Sequence, residues 1–112
     1  MSRIETDICI IGAGSAGLSI ASGAAQMGAR VVLIEGHKMG GDCLNYGCVP
    51  SKALLASAKH AHAGLDNPDF GIAQAHPEVN YAGAKDHVRR VIDAIAPVDS
   101  QERFEGFGCT VI

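Results

Sequence analysis

The chain has 112 residues, room for one domain and none for two. Hydrophobic residues make up 47% and charged residues 19%, the proportions of a chain that packs a core, which excludes a disordered tail or an acidic solvating tract. Nine basic and 12 acidic residues give a net charge of −3, and the longest basic run is the pair Arg89 and Arg90, so nucleic-acid binding through a basic surface is excluded too.

Glycine is the compositional anomaly, at 14 residues against 4% aromatics. Residues 1–7 are polar and lead straight into a strand-like run, so no secretory leader is expected and the four cysteines read as those of a cytoplasmic protein. Residues 8–29 carry no charge and by length alone could span a membrane. Five glycines with Ser15, Ser19, Ser22 and Gln26 make that stretch too polar and too flexible for one.

In chain order, residues 7–11 (Asp-Ile-Cys-Ile-Ile) form a short β-branched run that stops at glycine, the pattern of a strand buried on both faces. From 15 to 27, two sets recur at helical spacing: Leu18, Ala21 and Ala25, then Ile20, Ala24 and Met27. Gly28 stands where a left-handed cap is wanted. A second apolar run at 31–34 is closed by Glu35 and Gly36. Strand, helix and strand in so short a span predict a parallel βαβ unit. Residues 50–62 read as a helix with Pro50 in its first turn, a stripe at Leu54, Ala58, Ala61 and Leu65, and Gly64 past its end. Residues 67–80 read as a loop with a short edge strand near Phe70. Val88, Val91, Ile92, Ile95 and Val98 mark a further helix that Pro97 breaks or kinks, and 108–112 close the chain as an apolar strand. Ending on such a strand is expected of a segment of a longer protein. Cys9 and Cys109 are expected to be buried in their strands, and His37, His60, His62, His76 and His87 to lie on the surface without forming a metal-ligand set.

Two motifs carry chemistry. Gly12-Ala13-Gly14-Ser15-Ala16-Gly17 fits G-x-G-x-x-G between a strand and a helix. The first glycine permits the tight turn, the second lets a pyrophosphate approach the backbone, and the third lets helix and strand pack closely. Glu35, at the end of the second strand, is placed to accept ribose hydroxyls and would repel a 2′-phosphate, so FAD or NAD fits and NADP does not. The second motif holds Cys43 and Cys48. On a regular helix their Cα atoms would be about 8.6 Å apart, beyond the reach of about 7 Å for a disulfide. If they pair, the backbone between them must leave helix geometry, and Asn45 and Gly47 tolerate that. So short a closed loop would stabilise by only about 2 kcal/mol, which favours reversible redox use over a structural staple. A zinc site lacks a second Cys/His pair of complementary spacing, and two buried free thiols are the remaining alternative.

The fingerprint, Glu35 and the frame G-G-x-C-x-x-x-x-C-x-P-S-K at 40–52 together resemble the class I flavin-dependent pyridine nucleotide-disulfide oxidoreductases, the family of dihydrolipoamide dehydrogenase, glutathione reductase and mercuric reductase. The match is close over 7–60 and weaker beyond. It implies an α/β, Rossmann-like FAD-binding domain with a parallel sheet, incomplete here: residues 1–112 would be its N-terminal segment, with the NAD-binding and dimerisation domains absent and no turnover by the segment alone. Gly12, Gly14, Ser15, Ala16 and Gly17 would hold the FAD pyrophosphate, Glu35 the adenosine ribose, Gly41 and Asp42 the phosphate or ribityl path, and Lys52 would lie near the flavin ring. Electrons would pass from NAD(P)H through flavin to a Cys43–Cys48 disulfide, with Cys48 facing the flavin and Cys43 exchanging with a small disulfide, dithiol or metal-ion substrate. The resemblance also implies a homodimeric, cytoplasmic parent with no nucleic-acid or membrane partner. Many members have Thr at Asp42 and Val at Tyr46, while Cys43-Leu44-Asn45 and Val49-Pro50-Ser51-Lys52 are similar to the lipoamide dehydrogenase and mercuric reductase branch. An NAD-dependent dehydrogenase with incidental cysteines and a non-catalytic nucleotide-binding module are the competing readings.

Overall fold

A computed structural model describes residues 3–63, 68–71 and 76–112. Three parallel strands form one sheet in the order β1 (Ile8–Ile11), β2 (Val31–Ile34), β3 (Thr110–Val111). Ile8 to Ile11 pair in register with Val31 to Ile34, and Val32 and Leu33 pair with Thr110 and Val111. Between β1 and β2 runs α1 (Ser15–Gln26), which ends at Met27 and Gly28; the latter has φ +92°, as a left-handed cap requires. Leu18 and Ala21 of α1 join Ile10, Ala13, Val31, Leu33, Phe104 and Cys109 in the core, where each large side chain contributes about 1.5–3 kcal/mol by burial. Outside the core, the Arg30 guanidinium donates to both carboxylate oxygens of Asp7 and, with the Arg30 N–H, holds that carboxyl down at about 2.

After β2 the chain makes two helices, α2 (Gly41–Asn45) and α3 (Cys48–Ala63), then a 3₁₀ turn at Pro68–Phe70. The long helix α4 (Tyr81–Ile95) packs along α3. Asn80 caps α4 by accepting the Gly83 N–H. Pro97 tightens the end of α4 into a 3₁₀ turn, Ala96–Asp99, and α5 (Gln101–Gly106) leads into β3. The molecule is elongated, 68 × 26 × 18 Å.

Several expectations need correction. β1 is not buried on both faces: it is an edge strand covered by α1 on one side only, so Cys9 is exposed and Ile11 is 85% exposed. Ile20 and Met27, on the second predicted stripe of α1, face solvent, because the helix packs on the sheet through the Leu18 and Ala21 face. Near Phe70 there is a 3₁₀ turn in place of an edge strand, since Pro68 fixes φ and no strand among the described residues pairs with Phe70. α3 begins two residues before Pro50, which is tolerated because a first-turn N–H has no helical partner in any case. Of the predicted stripe on α3, Leu54 and Ala61 are half-buried and Ala58 is exposed, while the buried residue of the helix, Ala53, stands outside that stripe; Leu65 and Gly64 lie outside the described residues. The closing strand is shorter than expected, with Cys109 buried just before it. Helix α5 had no counterpart in the predicted elements.

Candidate functional site

The glycine fingerprint forms the turn from β1 into α1, and each glycine has its own cause. Gly12 has φ +104° and donates its N–H to the Ile34 carbonyl at 2.7 Å, which ties the turn to β2. At Gly17 a Cβ would come 1.9 Å from the Gly12 carbonyl oxygen, so only glycine lets helix and strand approach this closely. Gly14 differs, since a Cβ there would meet nothing within 4 Å. Its bare face fronts open space, and it is the N-cap of α1 with no side chain capping the helix. Ser15 and Ala16 follow, exposed, at the first two helical positions. A 12-residue helix with an uncapped N-terminus offers free N–H groups and about half a positive charge, the requirements of a diphosphate.

Glu35 closes this turn from the β2 side. Its carboxylate accepts the Ala13 N–H at 2.6 Å through Oε2 and the His37 N–H at 2.9 Å through Oε1. Those two hydrogen bonds, the Ala13 one foremost, hold the carboxyl below its ordinary range. A charged acceptor is thereby fixed at the C-terminal end of β2, against the glycine turn.

The second motif is built onto the first. Gly40 (φ +86°) donates its N–H to the Ala13 carbonyl at 2.9 Å, and a Cβ at Gly41 (φ +56°) would lie 2.7 Å from the Gly14 Cα. Asp42 is exposed in the first turn of α2. The Asn45 side chain donates to the Met39 and Gly41 carbonyls, and the helix ends at Tyr46 (φ −136°). Gly47 then passes close to Asp42, where a Cβ would sit 3.0 Å from the Asp42 carbonyl oxygen, and α3 starts at Cys48. The expected departure from helix geometry between the cysteines is therefore present at Tyr46 and Gly47, whereas Asn45 stays helical.

Cys43 is half-buried and Cys48 exposed, both as free thiols. They are close enough that a hydrogen bond with the Cys48 thiol is the main cause pushing the Cys43 thiol up, followed by burial and the charge of Cys48. The Cys48 N–H and the charge of Lys52, exposed one turn further along α3, act in the opposite direction. The arrangement is a pair of neighbouring thiols, Cys43 in α2 and Cys48 at the N-terminal end of the 16-residue α3.

One cluster had no sequence signal. The Tyr46 hydroxyl lies 3.5 Å from His37 Nε2, and the Lys38 ammonium stands 5.1 Å above the Tyr46 ring, so the residue between the cysteines leans on the loop after Glu35. Of the histidines, His87 is half-buried against α3 and not on the surface as expected; the other four are exposed. Among the described residues no group of three or more His, Cys, Asp or Glu side chains comes together as a metal site, and no helix is long and apolar enough to cross a membrane.

Comparison with known proteins converges on one family. The family profile described as pyridine nucleotide-disulphide oxidoreductase matches residues 6–105. A dihydrolipoyl dehydrogenase of Bacillus subtilis is 37% identical over 92 residues, covering 82% of this chain and 19% of its own length. A mercuric reductase of Lysinibacillus sphaericus is 45% identical over 76 residues, covering 68% of this chain and 14% of its own. Among solved structures, the Cu(II) complex of the HOCl-induced flavoprotein disulfide reductase of Escherichia coli superposes with a TM-score of 0.70 at 26% identity, over 93% of this chain and 21% of that one. The matches span between a seventh and a fifth of the length of these relatives.

Proposed function

The chain belongs to the pyridine nucleotide-disulphide oxidoreductase family, and from that premise we propose that it is the N-terminal segment of the FAD-binding domain of a flavoprotein reductase. The parent passes electrons from NAD(P)H through flavin to a Cys43–Cys48 disulfide, and from there to a disulfide or metal-ion substrate. The observation that carries this reading is the packing of Gly41 on Gly14, which joins the phosphate-binding turn to α2, the helix that carries Cys43.

The residues present fit FAD. The bare Gly14 face and the α1 N-terminus, with Ser15, Ala16 and Gly17, suit its diphosphate, and the Glu35 carboxylate suits a ribose hydroxyl pair. Gly41 and Asp42 border the path from diphosphate to cysteines, and Lys52 offers the cation that stabilises a reduced ring. Bound there, FAD supplies a two-electron carrier between a nicotinamide and a disulfide. Cys48, at the N-terminus of α3, is the sulfur that faces the ring, and Cys43 exchanges with substrate. The nicotinamide-binding and dimerisation domains belong to the rest of a homodimeric parent. The parent works in the cytoplasm, where disulfides are transient and catalytic.

The test is an anaerobic reductive titration of the full-length flavoprotein. About four electrons per flavin are expected, two for the ring and two for the cysteine pair, falling to about two when either cysteine is replaced by serine. A protein that takes up two electrons with both cysteines intact, or one that binds no flavin, overturns the proposal.

A further inference from the structure

The Cys43 side of the dithiol opens onto a cavity of about 250 Å³, which the sequence did not signal. One wall is the polar flank of α1, with Ser15, Ser19 and Ser22; the other is the turn before α5 and α5 itself, with Asp99 and Arg103. The two charged side chains are four residues apart, yet they form no ion pair with each other. Asp99 is half-buried and has no side-chain hydrogen-bond or ion-pair partner among the described residues. The Arg103 guanidinium is oriented by the Val98 carbonyl, to which it donates, and by the Phe107 ring, 5.2 Å away. It too has no carboxylate partner among the described residues. A free carboxylate and a held, free guanidinium on one wall of a hollow that reaches a thiol are the complement of a ligand bearing one charge of each sign. The volume lies below the usual range for drug-sized ligands and suits an amino-acid-sized group.

Resting on the reading of Cys43 as the exchange thiol, we infer that Asp99 and Arg103 select the substrate, and that it is a small disulfide whose halves each carry an ammonium and a carboxylate. The carboxylate pairs with Arg103 and the ammonium with Asp99, which brings the S–S bond to Cys43. Cys43 gives up its proton to solvent and its sulfur attacks one substrate sulfur, the substrate S–S bond breaks, and one half leaves as a thiolate that takes a proton from solvent. The other half remains as a mixed disulfide on Cys43. Cys48 then gives up its proton and its sulfur attacks the Cys43 sulfur, releasing the second half, which is protonated in turn, and forming the Cys43–Cys48 disulfide. NAD(P)H, through the flavin, returns the two electrons that regenerate the dithiol.

The full-length flavoprotein is assayed with four disulfides: cystine (zwitterionic), cystamine (cationic), dithiodiglycolate (anionic) and bis(2-hydroxyethyl) disulfide (neutral). Cystine is expected to give the highest kcat/KM. Relative to the neutral compound, Arg103→Gln lowers kcat/KM about tenfold for cystine and dithiodiglycolate, and Asp99→Asn about tenfold for cystine and cystamine. A wild-type enzyme indifferent to charge, or variants that lower all four rates alike, overturns the inference. Loss of the four-electron titration in the wild-type protein overturns the function it rests on, and the inference with it.

Discussion

Gly41 sits so close to Gly14 that a Cβ on it would lie 2.7 Å from the Gly14 Cα, although 27 positions separate them in sequence. This contact seats the start of α2, the helix that carries Cys43, against the glycine turn. Gly41 also has φ +56°, which costs a non-glycine residue about 1–2 kcal/mol before any clash. Gly41→Ala should therefore loosen FAD about tenfold or more, read by equilibrium dialysis of the full-length protein. Unchanged affinity would mean that the two motifs are not mechanically joined.

The fingerprint glycines should separate by mechanism. Gly17→Ala forces a Cβ to 1.9 Å from a backbone oxygen, so the thermal midpoint should fall whether or not cofactor is present. Gly14→Ala meets no protein atom within 4 Å and should cost less than about 1 kcal/mol in the apoprotein. It should nonetheless abolish FAD retention by filling the space the diphosphate needs. Paired melting curves with and without FAD distinguish the two.

Glu35 carries a pH signature. Its carboxyl is held below the ordinary 4.5 by the Ala13 and His37 N–H groups, so its contribution is complete above that value and is lost as acid protonates it. Glu35→Gln should narrow the gap in thermal midpoint between neutral and acid conditions, chiefly by lowering the neutral value. A gap as wide as in the wild type would show that the carboxylate does not brace the turn.

Asp7 behaves in the same direction at a lower pH. With its carboxyl at about 2 against an ordinary 3.8, the Arg30 pairing is fully present above 3.8 and disappears as pH falls through about 2. The thermal midpoints of wild type and Asp7→Asn should converge within that window. The pair is solvent-exposed, so a small difference is expected at neutral pH.

What could be read from sequence followed from how local its cause is. β2 and α1 emerge from uninterrupted apolar runs and helical spacing closed by glycine, and the phosphate turn from three glycines whose roles are set within six residues. The exposure of Cys9 and Ile11 was not legible, because burial of a strand depends on what covers the sheet and not on its own composition. Helix α5 escaped because it has six residues and buries only Phe104; its one local sign is Ser100, whose hydroxyl accepts the Arg103 N–H as an N-cap. The Asp99 and Arg103 wall was hidden with it. The leaning of Tyr46 on His37 depends on a turn whose path no periodicity encodes.

Phe104 tests that missed element directly. It is 2% exposed and packs edge-on against Phe107 with ring centroids 5.7 Å apart, so Phe104→Ala should cost about 3–5 kcal/mol. Hydrogen exchange at the β2 amides should report the loss as easier opening of the sheet. Unaltered protection would mean that α5 is not part of the core.

The most direct test of the central claim, a flavin stacked on the Cys43–Cys48 pair, is the long-wavelength absorbance of the full-length protein after two-electron reduction. A charge-transfer band that survives Cys43→Ser and vanishes in Cys48→Ser is the result expected. A flavin spectrum without that band in the wild type, or one indifferent to Cys48, would contradict the account.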